Sequence, residues 1–223
     1  MSYFESRLKV NFEDLDEIKE KIKWIESLGI RNLILEPNNE IQKIPLDLKD
    51  TIKKLSPINI YFRITIKEEN LNNFKNKIKK YHNFEDILCV ESINKDVQIH
   101  AARDSRVDLI SFSEQNILKT LTIGVLSLVK QNNSFIEFSL APIMKKNMQV
   151  QSKNFRSLYR YLHMTRKTNV KYIISGNFSE LYDFRHPRGL ISICHSLLEL
   201  PIKESKQAFQ GCPRALLERV KKH

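Results

Sequence analysis

Three glutamates, Glu36, Glu91 and Glu137, each stand within or at the end of a short apolar run with strand character. Brought together, three carboxylates can hold a divalent metal or divide proton transfer between them. The alternative is that polar residues inside a barrel pair with arginines such as Arg63, which lies in the strand-like run Ile58 to Ile66. Pairing is the favoured reading, because His82, His100, His163, His186, His195 and His223 are scattered over helical and loop stretches and none accompanies the glutamates. A second group is cationic. The apolar run Tyr172 to Ile174 ends at Ser175-Gly176-Asn177, and the loop beyond carries Arg185, His186 and Arg188 just before Gly189 and the helical stretch Leu190 to Leu200. Two arginines are permanent cations with a fork geometry suited to phosphate, and nothing near them supplies a metal cage or a nucleophile with its base. A strand-to-helix loop of this kind in a parallel α/β fold lies on the functional face, so the loop reads as a binding surface.

The charge is one-sided. The formal net charge is +11, yet residues 1–144 hold 21 Lys and Arg against 21 Asp and Glu, while residues 145–223 hold 16 against 5. An excess confined to the last third points to a polyanionic partner. Lys153, Arg156, Arg160, His163 and Lys167 follow steps of three and four, which places them on one stripe of a helix read over Phe155 to Arg166. Alone, such a stripe is equally a solvated outer face. Lys145 and Lys146 before it, Arg185, His186 and Arg188 after it, and the terminal Arg214, Arg219, Lys221 and Lys222 weigh toward phosphate binding. Arg63, Arg103 and Arg106 are candidate further contacts, although Asp104 and Asp108 stand ready to neutralise the last two.

The elements that must position these groups alternate. A strand over Tyr3 to Phe12 is followed by an amphipathic helix with Leu15, Ile18, Ile22, Ile25 and Leu28 on one face, and Gly29 stops it. Strands at Asn32 to Glu36, Ile58 to Ile66, Ile87 to Ser92, Val107 to Phe112, Phe135 to Leu140 and Tyr172 to Ile174 alternate with helices at Pro45 to Leu55, Glu68 to Tyr81, Asp96 to Arg103, Asn116 to Val129 and Phe155 to Arg166. Helices at Leu190 to Leu200, Lys203 to Phe209 and Pro213 to Val220 complete the pattern. With no compositional break, the expected architecture is a single α/β domain over residues 1–223, a TIM-like (β/α) barrel of about seven parallel strands with extra C-terminal helices. With 5 glycines and neither GxGxxG nor GxxxxGK[ST], a nucleotide-binding open sheet is disfavoured. The 41% hydrophobic composition is globular, and the absence of an apolar run of membrane-spanning length leads to the expectation of a soluble cytoplasmic protein with no membrane partner. Cys89, Cys194 and Cys212 are odd in number and far apart, as reduced core thiols are.

The stretches Val107 to Phe112 and Phe135 to Leu140, the strand end Ile174-Ser175-Gly176 followed by Tyr182, Arg185, Pro187 and Arg188, and the tail with Pro213 and Leu216-Leu217-Glu218-Arg219 resemble the thirty-kilodalton protein subunit of ribonuclease P, component 3 of the archaeal enzyme. The resemblance implies an α/β barrel without hydrolase metal ligands. Hydrolase barrels of the polymerase-and-histidinol-phosphatase type carry an HxH pair on the first strand, where this chain has Ser6-Arg7-Leu8-Lys9. It also implies a non-catalytic part in an endoribonuclease that removes the 5′ leader from precursor tRNA. The implied partners are the catalytic RNA, precursor tRNA, a small α+β ribonuclease P subunit and the other ribonuclease P proteins. No cofactor would be bound by this chain, and Mg2+ would belong to the RNA. The runner-up from the residues alone is a barrel enzyme acting on a small phosphorylated substrate, with Arg185 and Arg188 as phosphate clamps and Glu36, Glu91 or Glu137 as acid or base.

Overall fold

The computed structural model describes residues 2–144, 147–178 and 181–221, Tyr182 by its backbone alone. Among these residues seven strands pair in chain order and all in parallel: β1 (Phe4–Val10), β2 (Asn32–Pro37), β3 (Asn59–Lys67), β4 (Ile87–Glu91), β5 (Leu109–Phe112), β6 (Phe135–Ser139) and β7 (Tyr172–Ser175). The crossovers between them are α1 (Leu15–Ser27), α2 (Leu46–Lys53), α3 (Leu71–Ile78), α4 (Lys95–Arg103), the pair α5 (Gln115–Leu118) and α6 (Ile123–Gln131), and α7 (Met148–Lys167). Three further helices follow β7: α8 (Pro187–Ser196), α9 (Ile202–Phe209) and α10 (Gly211–Val220). The result is a nearly closed TIM-like barrel of seven strands with extra C-terminal helices.

Local chemistry explains where the boundaries differ from those expected. The helix α7 begins seven residues before Phe155 because the Asn147 carboxamide oxygen accepts from the backbone of Gln149 and Val150. The apolar stretch read as one helix over 116–129 is broken into α5 and α6, since Thr122 leaves the helical region and caps Val125 N–H. Asn70 caps α3, so Glu68 and Glu69 lie outside that helix instead of in its first turn. Gly29 follows α1 at φ 77°, and Asn133 and Asn169 follow α6 and α7 at 53° and 54°, a left-handed backbone that glycine and asparagine tolerate best.

Alternation along the strands divides the molecule into two apolar compartments. One set of faces packs on the helices in a continuous core. The other faces point inward, and at the N-terminal ends of the strands Ile34, Ile87, Cys89, Leu109, Phe135 and Ile173 enclose Leu216 of α10, which plugs the floor. Between β1 and β7 no ladder is formed among the described residues, and a side chain bridges the seam. The Glu5 carboxylate accepts from Gly176 N–H at 3.0 Å and 3.3 Å, while α9 packs on both β1 and β7. Gly176 is required there, because a Cβ would stand 2.7 Å from Glu5 Oε2 and 2.6 Å from the Phe178 ring.

Candidate functional site

Above the apolar floor the barrel interior is ionic. Arg7 Nε donates to Glu36 at 2.6 Å, its Nη2 to Glu36 at 3.0 Å and to Glu91 at 3.1 Å, and its Nη1 to Ser111 Oγ at 3.1 Å with Glu137 3.7 Å away. Arg63 grips Glu137 through two bonds of 2.9 Å and 3.0 Å, approaches Glu36 at 3.2 Å and donates to Cys89 Sγ at 2.9 Å. Strands β1, β2, β3, β4 and β6 each supply one charge, so the three candidate carboxylates do converge, and guanidinium groups already satisfy them. Pairing with arginine is therefore the arrangement found. Arg63 has no exposed surface, which corrects its place among the candidate RNA contacts: a cation consumed by buried carboxylates cannot reach a phosphate outside.

The local field follows from these pairs. Although burial opposes it, the pKa of Glu36 lies below the usual carboxylate value because Arg63 and Arg7 face it, and that of Glu91 is held down to about 2, again against burial, chiefly by Arg7. Glu5 is the exception. Burial pushes its carboxyl up to about 7, only partly offset by the backbone N–H groups of Arg7 and Gly176. Between its ordinary 4.5 and about 7 the unfolded chain gives up this proton while the folded chain keeps it, so stability falls as pH rises through that window. The full span is worth about 3 kcal/mol. Glu91 has the opposite sign, with stability gained as pH rises from about 2 toward 4.5 and retained above it. Thermal melts from pH 4.5 to 8 are expected to decline for the wild type and to flatten in Glu5→Gln, whose amide imitates the protonated acid; parallel declines would refute the assignment.

Outside the barrel, Lys153, Arg156, Arg160 and Lys167 are exposed along α7, and none of the four forms an ion pair among the described residues. His163 departs from that stripe: its ring packs on Tyr159, Nε2 meets Leu198 O at 2.9 Å, and Nδ1 faces Arg166 Nη1 at 3.3 Å. Arg166, absent from the candidates, joins α7 to α9 through Glu204 at 2.6 Å. Lys145, Lys146 and Lys222 lie outside the described residues. Arg185, His186 and Arg188 are exposed, and His186 lies away from the mouth, since a Cβ on Gly29 would stand 3.8 Å from its Nε2. His186 is thus beside the α1–β2 turn, at the N-terminal ends of the strands, where its Nδ1 accepts from Arg188 N–H and caps α8. Arg103 is exposed, whereas Arg106 is tied to Asp104 at 2.6 Å. Arg219 is a structural clasp under the floor, donating to Asp108 at 3.2 Å and to the carbonyl oxygens of Asn132 at 2.8 Å and Ser105 at 2.9 Å.

Neighbours that sequence reasoning passed over line the C-terminal mouth, where Lys9, Gln115 and Asn154 border a cleft of about 680 Å³. The signal for Lys9 was present, because Glu5, Arg7 and Lys9 are three charges at period two on a strand, which puts all three on one face.

Fold and site together define a class: an α/β barrel whose interior carboxylates are bound to arginine and one of whose outer helices, α7, carries a row of exposed cations without ion pairs among the described residues. The family model described as RNase P subunit p30 matches residues 3–223, and the chain belongs to that family; it is a ribonuclease P protein subunit with a role in tRNA processing. Ribonuclease P protein component 3 of Methanococcus maripaludis strain C7 is 24% identical over 180 residues, covering 79% of this chain and 75% of the relative. A chain from a cryo-EM structure of archaeal ribonuclease P with mature tRNA superposes with a TM-score of 0.80 at 16% identity, over 97% of this chain and 91% of that one. A Xaa-Pro dipeptidase with methionine bound in its active site shares the fold at 8% identity and a TM-score of 0.67, over 99% of this chain and 76% of that one. No helix among the described residues is long and apolar enough to cross a membrane.

Proposed function

We propose that this chain serves ribonuclease P as a non-catalytic, RNA-binding subunit. It meets the catalytic RNA and precursor tRNA through α7 and the neighbouring cations, and docks on a small α+β protein subunit among the other ribonuclease P proteins. The carrying observation is the division of charge. Glu36, Glu91 and Glu137, the strand-borne carboxylates that could hold a metal, are spent on Arg7 and Arg63, while Lys153, Arg156, Arg160 and Lys167 face solvent without an ionic partner among the described residues. Lysine and arginine in that position neutralise RNA phosphates and lower the magnesium the RNA needs to hold its shape. Cleavage and its Mg2+ then belong to the RNA. Adding the chain to catalytic RNA and the partner proteins is expected to raise leader removal from precursor tRNA, and omitting it to depress it. The purified chain with precursor tRNA and magnesium or manganese, free of catalytic RNA, is expected to leave the leader in place; cleavage lost in Glu36→Gln, Glu91→Gln or Glu137→Gln would overturn the non-catalytic role.

A further inference from the structure

Residues 1–144 carry no net charge, yet the barrel sorts their charges to opposite ends. Each crossover helix runs against the strands, so the helices begin at the mouth and end at the floor. Asp16 and Glu17 open α1, Asp47 opens α2 and Asp96 opens α4, whereas Lys53 closes α2 with Lys54 as its cap, Lys79 and Lys80 begin the turn after α3, and Arg103 closes α4. A helix of 8 to 13 residues, the range from α2 to α1, is about 12–20 Å long, which exceeds the screening length of about 8 Å at physiological salt. Acids at the mouth therefore do little to cancel bases at the floor. Lys53, Lys54, Lys79, Lys80 and Arg103 are all exposed, and none forms an ion pair among the described residues, although Lys53 Nζ lies over the Phe62 ring at 5.8 Å. Arg106 and Arg219 share that end but are held by Asp104 and Asp108, and exposed Glu85 and Glu218 do not balance the rest.

Complementing the helix dipole accounts for one cation in a last turn. It does not account for neighbouring lysines, which repel each other, and α3 already holds Lys75 and Lys77 in its last turn before Lys79 and Lys80 are added. The ends of these helices gather around the end of α10. Lys53 lines a hollow of about 460 Å³ with Leu217 and Val220, and His82 and Ser105 line one of about 180 Å³ against the same Val220. Neighbouring helices stand about 8–10 Å apart, so the cations cover a face, as the two backbones of an RNA helix require, where α7 offers a single line. Lys130 at the end of α6, bonded to Thr168 O at 3.1 Å beside Lys167, continues the face to α7. We propose that the floor of the barrel is a second RNA surface, which receives the phosphates of a double-helical stem. The proposal rests on the RNA-binding reading above and adds the stem and its place to it.

Binding of the full chain to a twelve-base-pair RNA duplex and to single-stranded dodecauridylate, followed by fluorescence anisotropy over a salt series, tests it. Exchange of Lys53, Lys54, Lys79 and Lys80 for Gln is expected to weaken the duplex about thirtyfold, to make its salt slope shallower by about 2 and to change dodecauridylate by less than about threefold. The melting temperature is expected to hold, since the exchanged side chains are exposed. Lys43, Lys67 and Lys95 are exposed at the mouth, and their exchange for Gln is expected to leave duplex binding as it is. An unchanged duplex affinity and slope in the floor variant would overturn the floor site while leaving RNA binding by α7 intact. An equal loss per charge in the floor and mouth variants, the signature of net charge alone, would overturn it too, as would equal weakening of both RNAs. A floor variant that keeps the duplex but loses polyglutamate bound by the wild type would assign the face to an acidic protein instead. Failure of the wild type to bind the duplex, dodecauridylate or structured RNA would remove the RNA-binding reading itself.

Discussion

Replacing Arg7 by Met is expected to cost about 3–5 kcal/mol of folding stability, because one side chain is the counter-ion of three strands. Arg7 bonds Glu36 and Glu91 and faces Glu137 at 3.7 Å, with no exposed surface on the guanidinium. Its loss leaves Glu91 with serine hydroxyls and no cation at bonding distance, and Glu36 with Arg63 alone. For a chain of this length a loss of that size lowers the melting temperature by on the order of 10 °C. Folding strength here comes less from the ion pairs as such than from the absence of unpaired charge. Two charges taken out of water lose much of what their attraction returns, whereas one charge left behind has no compensation.

A double replacement separates these two accounts. If the unpaired carboxylate is the source of the cost, Glu91→Gln introduced beside Arg7→Met removes that charge and is expected to recover about half of the lost stability. Arg7→Lys keeps a cation but not the fork, and is expected to fall between the wild type and Arg7→Met. Melting temperatures within about 2 °C of the wild type for Arg7→Met would mean that water enters the barrel and screens the network.

Much of this fold was legible because parallel strands and their crossovers write different periods. The runs at β5 and β6 are buried on both faces, and α1 carries Ile18, Ile22 and Ile25 at helical spacing toward the core. Convergence of Glu36, Glu91 and Glu137 could be argued from strand order alone, since inward positions on neighbouring parallel strands meet at one level. Direction was harder. Nothing in Tyr172 to Arg188 says that His186 reaches Gly29, while Asn177 and Asp183 border the mouth. Positive charge was also a poor guide to exposure. Arg63, Arg166 and Arg219 carry the same charge as Arg156, yet their partners are Glu137, Glu204 and Asp108, far off in sequence. Only tertiary structure divides cations that hold the protein together from those left to meet an anion.

That division makes the final prediction. Exchange of Lys153, Arg156, Arg160 and Lys167 for Gln removes four cations that have no ion-pair partner among the described residues, and the wild-type fold should persist, since exposed side chains on one helix face contribute little to the core. If each neutralises one phosphate, the slope of log affinity against log salt is expected to become shallower by about 3. At low salt the affinity for structured RNA is expected to fall by about two orders of magnitude. Arg219→Gln is the matched control, a loss of one positive charge from under the barrel floor. Its four hydrogen bonds to Asp108 and to the carbonyl oxygens of Ser105, Val107 and Asn132 predict a lower melting temperature with an unchanged salt slope. Net charge alone would make the two kinds of variant differ only in proportion to the charges removed. A salt slope that fell equally per charge at Arg219 and on α7 would therefore sink the claim that α7 is the phosphate-facing surface.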